Sequence, residues 1–195
     1  MNSIKFPPIL NENPTAIAIV RGSPEFHDIY GEVRFYQTTL GVIVEAQVSG
    51  LPTSDNICAQ PIFAFHIHNG TSCGGVSGDY FSHTMVHYNP HACPHPYHAG
   101  DMPPLFGGAN GYAFLSFFSD RFKINDVLGK TVVIHASPDD FTTQPSGRPG
   151  TRMACGVIET VEAIEPTEPA EEYKRCFKSI FFYFISLLLC FLYFF

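Results

Sequence analysis

Between Thr15 and Val161 the chain repeats one pattern: short runs in which apolar and polar side chains alternate, each closed by glycine or proline. Ile17 and Ile19 alternate with small residues, Glu32-Val33-Arg34-Phe35 alternates polar with apolar, and Val42, Val44, Ala46 and Val48 share one face, interrupted by Glu45 and Gln47. Ile62 to His68, Tyr112 to Phe118, Thr131 to His135 and Met153 to Thr160 are further extended runs, and Leu40-Gly41, Gly50-Leu51-Pro52, Gly107-Gly108 and Pro149-Gly150 supply turns. A period of two places alternate side chains on opposite faces of a strand, and no helical period competes with it in this region. Short strands punctuated by turn residues pack as an antiparallel sandwich or barrel, so the fold class is all-β.

Two stretches break the pattern: Asn69 to about Gly111, and Ala136 to Thr151, which is rich in Pro, Ser, Asp and Arg. Loops of this length inside a compact domain usually carry function. The first holds most of the histidines. Seven of the chain's 9 histidines, at positions 66, 68, 83, 87, 91, 95 and 98, fall between His66 and His98, and Asp101 follows three residues later. Imidazole is the commonest side-chain metal ligand near neutral pH. His66 and His68, two apart on the Ile62–His68 run, project to one face and form a preformed nitrogen pair, while His135 ends another apolar strand. Four imidazoles suit copper; three imidazoles and a carboxylate suit tetrahedral zinc.

The formal net charge is −7 and no Lys/Arg-rich block occurs, which argues against nucleic acid as a partner. None of the six cysteines forms a C-x-x-C pair, so a zinc knuckle or thioredoxin-like motif is not indicated. The start, MNSIKFPPILNENPT, has no continuous apolar stretch behind a basic one; it reads as an extension over residues 1–12 rather than a secretory signal, and the cytoplasm is the expected compartment. Residues 162–178 form an acidic, then basic linker, and 179–195 are uncharged and dominated by Phe, Leu, Ile and Tyr. About 17 residues is the short limit for a spanning helix. A tail anchored in a membrane, with Lys174, Arg175 and Lys178 holding the domain on the cytoplasmic side, a buried C-terminal hydrophobic helix, and a stretch without selected function all stay open.

The segments F-H-I-H (65–68), Cys73, H-Y-N-P (87–90), H-A-G-D (98–101), V-V-I-H (132–135) and R-M-A-C-G-V-I (152–158) occur in this order, with V-S-G-L-P before the first histidine pair. In this combination the chain resembles the copper/zinc superoxide dismutases over residues 13–161. The resemblance implies an eight-stranded antiparallel Greek-key sandwich or barrel of immunoglobulin-like type, with two long functional loops. It implies copper on His66, His68, His87 and His135, and zinc on His87, His98, Asp101 and a third histidine, with His87 bridging the two ions. His91 and His95 both precede His98; Pro94 and Pro96 brace His95, which is the favoured choice. Arg152 resembles the arginine that guides the anionic substrate, with Arg148 and Lys130 as helpers, and Asp139 resembles the carboxylate that links ligands of the two metals. Cys73 and Cys155 resemble the family's intrasubunit disulfide.

The activity so implied is conversion of superoxide to dioxygen and hydrogen peroxide, with copper cycling between two oxidation states, zinc in a structural role and a homodimer as one assembly. A metal store or copper-delivery module, or a copper-only dismutase, would be expected to lack one of these ligands or the arginine, and this chain keeps all of them. Four features depart from the family pattern: the short N-G-T-S link between His68 and Cys73, Ala64 in place of a glycine, the extra Cys58 and Cys93, which either pair or remain free thiols, and the hydrophobic tail 179–195.

Overall fold

A computed structural model describes residues 13–161 of the chain. The terminal extension 1–12, the linker 162–178 and the tail 179–195, with the helix and anchor readings of that tail, lie outside the described residues. Nine strands occur among the described residues: β1 (Ala16–Gly22), β2 (Tyr30–Gln37), β3 (Val42–Ser49), β4 (Ile62–Phe63), β5 (Phe65–His68), β6 (Leu105–Phe106), β7 (Ala113–Ser119), β8 (Thr131–His135) and β9 (Arg152–Thr160). One turn of α-helix, α1 (Ile124–Val127), precedes β8. No described helix is long and apolar enough to cross a membrane.

Seven strands form one curled antiparallel sheet in the order β5-β8-β9-β1-β2-β3-β7, and β4 pairs with β6 in a separate ribbon. β1, β2 and β3 are consecutive neighbours, but the chain then crosses from β3 to β5 at the far edge, returns to β7 beside β3, and crosses again to β8. These crossings are the Greek-key connections of a sandwich. The alternation explains the inward faces. Ala16, Ala18 and Val20 of β1, Val33 and Phe35 of β2, and Val44, Ala46 and Val48 of β3 are fully buried. They meet Phe65, Ile67, Val132, Ile134 and Ile158 in one continuous core. Glu45, on the other face of β3, is nearly buried and is neutralised by Arg34 at 3.2 Å.

The expected single run Ile62–His68 is divided at Ala64. Its amide donates to Ser137 O (2.9 Å) and its carbonyl accepts from His135 N (2.9 Å), so one residue leaves the ladder for the second long loop. The run therefore reaches both sheets, β4 pairing with β6 and β5 with β8. The short strand β6 sits inside the first long loop, where the Pro- and Gly-rich surroundings of Leu105-Phe106 mask its strand character. A register shift between Ile134 and His135 then places Arg152 directly across from His135.

Candidate metal centre

The first long loop lies along the free edge of β5. Tyr88 N donates to Ile67 O (2.8 Å), Asn69 N to Val86 O (2.8 Å), and Ile67 N to Gly100 O (2.9 Å). His68 thereby forms a bridge with His87, and His66 with Asp101. The approach is so close that a Cβ on Gly100 would overlap Ile67 O, which restricts this position to glycine. Backbone pairing across one strand thus gathers residues 17 to 35 positions apart in sequence.

Two groups of donors result. The ligand atoms of His66, His68, His87 and His135 all lie within 4.8 Å of one another, and so do those of His87, His95, His98 and Asp101. His87 belongs to both. All five of these histidines other than His87 and that residue itself are buried, at 0–6% exposure, whereas His27, His83 and His91 are exposed. Of the two sequence candidates beside His98, His95 stands in the second group and His91 stands outside it.

The hydrogen bonds decide which nitrogen of each ring faces inward. A neutral imidazole has one N–H and one lone pair. His66 Nε2 donates to Asp139 Oδ2 and His95 Nε2 to Asp139 Oδ1, each at 2.8 Å. His68 Nδ1 donates to Met85 O (3.0 Å) and His135 Nδ1 to Gly150 O (3.3 Å). The remaining nitrogens carry lone pairs. Those of His66, His95 and His98 (Nδ1 in each) are buried and make no hydrogen bond, and the last two face Asp101 Oδ2 at 3.1 and 3.4 Å, acceptor against acceptor. His68 Nε2 and His135 Nε2 face each other at 3.2 Å. Two lone pairs at that distance repel unless a cation lies between them, so the donor set fits a bound metal ion on chemical grounds.

Electrostatics favour the same state. Burial pushes the imidazoles of His68 and His135 well below their usual value, with neighbouring histidines adding to the effect, and burial lowers His66 and His98 as well. The neutral form is the ligating form. Burial alone would raise the two carboxyl groups. For Asp101 it is outweighed by the hydrogen bond from His87 and the electrostatic attraction of the surrounding imidazoles, and the pKa falls. For Asp139 it is outweighed by hydrogen bonds from His66, the Phe141 amide and His95, which bring the pKa to about 2.

A cavity of about 490 Å³ opens onto the first group; His68, His87, His135, Met85, Pro149 and Arg152 are among its walls. Arg152 is its sole Lys or Arg side chain among the described residues. Lys130 instead donates to Asn69 Oδ1 (2.9 Å) and lies over the Tyr88 ring, and Arg148 is exposed outside the cavity. Cys73 and Cys155 form a disulfide, joining the first loop to β9 three residues beyond Arg152. Cys58 and Cys93 are free thiols.

Sequence reasoning missed three supporting residues. Gln144 clamps the backbone of His95, accepting from its amide (3.0 Å) and donating to its carbonyl (2.7 Å). Gly147 passes against Asp139 and His95. Asp79 contacts Arg152 through Nη1 at 2.7 Å. Each contact depends on the path of an irregular loop, which no local motif reveals.

An all-β Greek-key domain whose loops build two adjoining donor groups around a shared imidazole defines a dinuclear metalloprotein. Residues 29–158 match the family described as copper/zinc superoxide dismutase (SODC), and the chain belongs to that family. It is 32% identical over 158 residues to a protein named superoxide dismutase [Cu-Zn] from Legionella pneumophila, covering 77% of this chain and 84% of the relative. A protein of the same name from Deinococcus radiodurans is 32% identical over 150 residues, covering 68% and 79%. The solved structure titled as the clock protein EA4 superposes with a TM-score of 0.61 at 29% identity, covering 77% of this chain and 97% of the other.

Proposed function

We propose that this protein dismutes superoxide to dioxygen and hydrogen peroxide, with copper held by His66, His68, His87 and His135 and zinc by His87, His95, His98 and Asp101. Membership of the copper/zinc superoxide dismutase family supports the reaction. The observation that carries the residue assignment is the opposition of His68 Nε2 and His135 Nε2 at 3.2 Å, with the His66 Nδ1 lone pair in the same group. Copper, when bound, supplies the one-electron chemistry, taking an electron from one superoxide and giving it to a second, which leaves with two protons as peroxide.

The chain's own residues then have separate tasks. Asp139 holds His66 and His95 through their Nε2–H groups and so fixes the tautomer of one ligand in each group. His87 is a wall of the cavity with Nδ1 turned to Asp101 at 2.7 Å, which supports the reading that its other nitrogen, Nε2, carries a proton to the outgoing peroxide. Zinc has no redox chemistry, so its donor group serves to keep His87 oriented. Arg152 draws the anion into the cavity against a net charge of −7 on the chain. Replacing His135 with Ala tests the assignment: copper binding and dismutation are expected to be lost with one zinc per chain retained. Full activity in that variant would contradict it.

A further inference from the structure

Arg152 does not face the cavity as a free cation. Its Nη1 donates to Asp79 Oδ2 at 2.7 Å and its Nη2 to Met85 O at 3.1 Å. Asp79 is not a stray surface carboxylate. It closes a tight turn in which Val76 N donates to Asp79 O (3.1 Å) and Asp79 N to Val76 O (3.0 Å), with Gly78 at φ 88 supplying the left-handed corner. The disulfide at Cys73 and the packing of Phe81 on Val133 and Cys155 tie both ends of this segment to β9 and β8. The backbone that carries Asp79 is therefore fixed beside Arg152, a residue of the cavity wall, by bonds and packing that do not depend on Arg152.

We propose that Asp79 is a counter-charge that sets the strength of the anion-guiding field, holding Arg152 in place while masking part of its charge. The inference rests on Arg152 acting as the guide. No second Lys or Arg lines the cavity among the described residues, and Lys130 is engaged elsewhere, so the field at the entrance depends on one cation and the anion bonded to it. An incoming superoxide beyond a few ångströms meets a nearly neutral pair rather than a positive charge. Asp79→Asn removes the negative charge and keeps an acceptor oxygen for Nη1, and the Met85 carbonyl still restrains Nη2. Focused fields change association rates by about 10- to 1,000-fold in full, and one unmasked charge is a fraction of that.

The experiment uses the full chain loaded with copper and zinc. The rate constant for dismutation is measured against ionic strength for the parent, Asp79→Asn and Arg152→Ala, and azide affinity is followed through the visible absorption of the copper site. Asp79→Asn is expected to raise the low-salt rate about threefold, steepen its fall with salt, and tighten azide binding by a similar factor; the gain should vanish near 1 M salt, where the Debye length is about 3 Å. Arg152→Ala is expected to do the reverse. Unchanged rates and azide affinity in Asp79→Asn, or a loss resembling that of Arg152→Ala, would overturn the masking role. An unaltered Arg152→Ala would instead remove the guiding role on which it rests. Equal metal content and melting temperature among the three proteins verify that the comparison is of folded sites.

Discussion

Gly147 lies so close to Asp139 that a Cβ there would overlap the carboxylate oxygen Oδ1 and stand 2.7 Å from His95 Nε2, the two atoms that share a hydrogen bond. Its φ of +74 also belongs to the left-handed region that favours glycine. Gly147→Ala is therefore expected to displace Asp139 from both His66 and His95 and to weaken metal binding by about 10- to 100-fold, the usual cost of disturbing the groups that orient ligands. Competition with a chelator of known affinity measures it; a change of less than about twofold would show that Asp139 is dispensable for ligand orientation.

The Cys73–Cys155 disulfide spans a sequence separation of 82 residues. In the chain-entropy description a loop of that size is worth about 4 kcal/mol of stability. Urea denaturation of the metal-free Cys73→Ser, Cys155→Ser protein should show a loss near that figure relative to the oxidised parent. A loss below about 1 kcal/mol would mean that the loop is already ordered in the unfolded chain or that the sandwich holds it without the bond.

Acid should destabilise the metal-free protein in two stages. The folded pKa values of His66, His68, His98 and His135 lie below their usual 6.5, so the unfolded chain binds more protons as pH drops through that value, and stability falls with it. Asp101 and Asp139 are depressed below 3.8; their contribution is present above the ordinary carboxylate range and disappears as pH falls toward about 2, the folded value of Asp139. Both effects have the same sign. Thermal melts of the chelated protein should fall between pH 7 and 5 and again below 4, and a flat profile from pH 7 to 5 would contradict the burial argument.

Much of this architecture was legible in the chain. Period-two alternation marked the strands, because a sandwich buries one face of each and leaves the other wet, as Val44 and Ala46 against Gln47 show. His66 and His68 could be paired because two positions on a strand share a side. The division at Ala64 and the strand at Leu105-Phe106 were not legible, since each depends on a partner from a distant loop rather than on local pattern. The same reason hid Asp79, Gln144 and Gly147. Asp79 is 73 positions from Arg152 and Gln144 is 49 from His95; an irregular loop brings the first to the start of β9, and two irregular loops meet at the second pair. The resemblance placed Asp139 near the ligands; the structure adds that its two oxygens serve one histidine in each group.

The proposed reaction requires that one redox ion and one structural ion share His87. Its most direct test is metal analysis of the purified chain coupled to a superoxide assay before copper removal, after it, and after copper is restored. One copper and one zinc per chain are expected, with dismutation lost and regained with copper alone while zinc stays bound. Activity that persists in copper-free protein, or copper that binds stoichiometrically without conferring turnover, would contradict it.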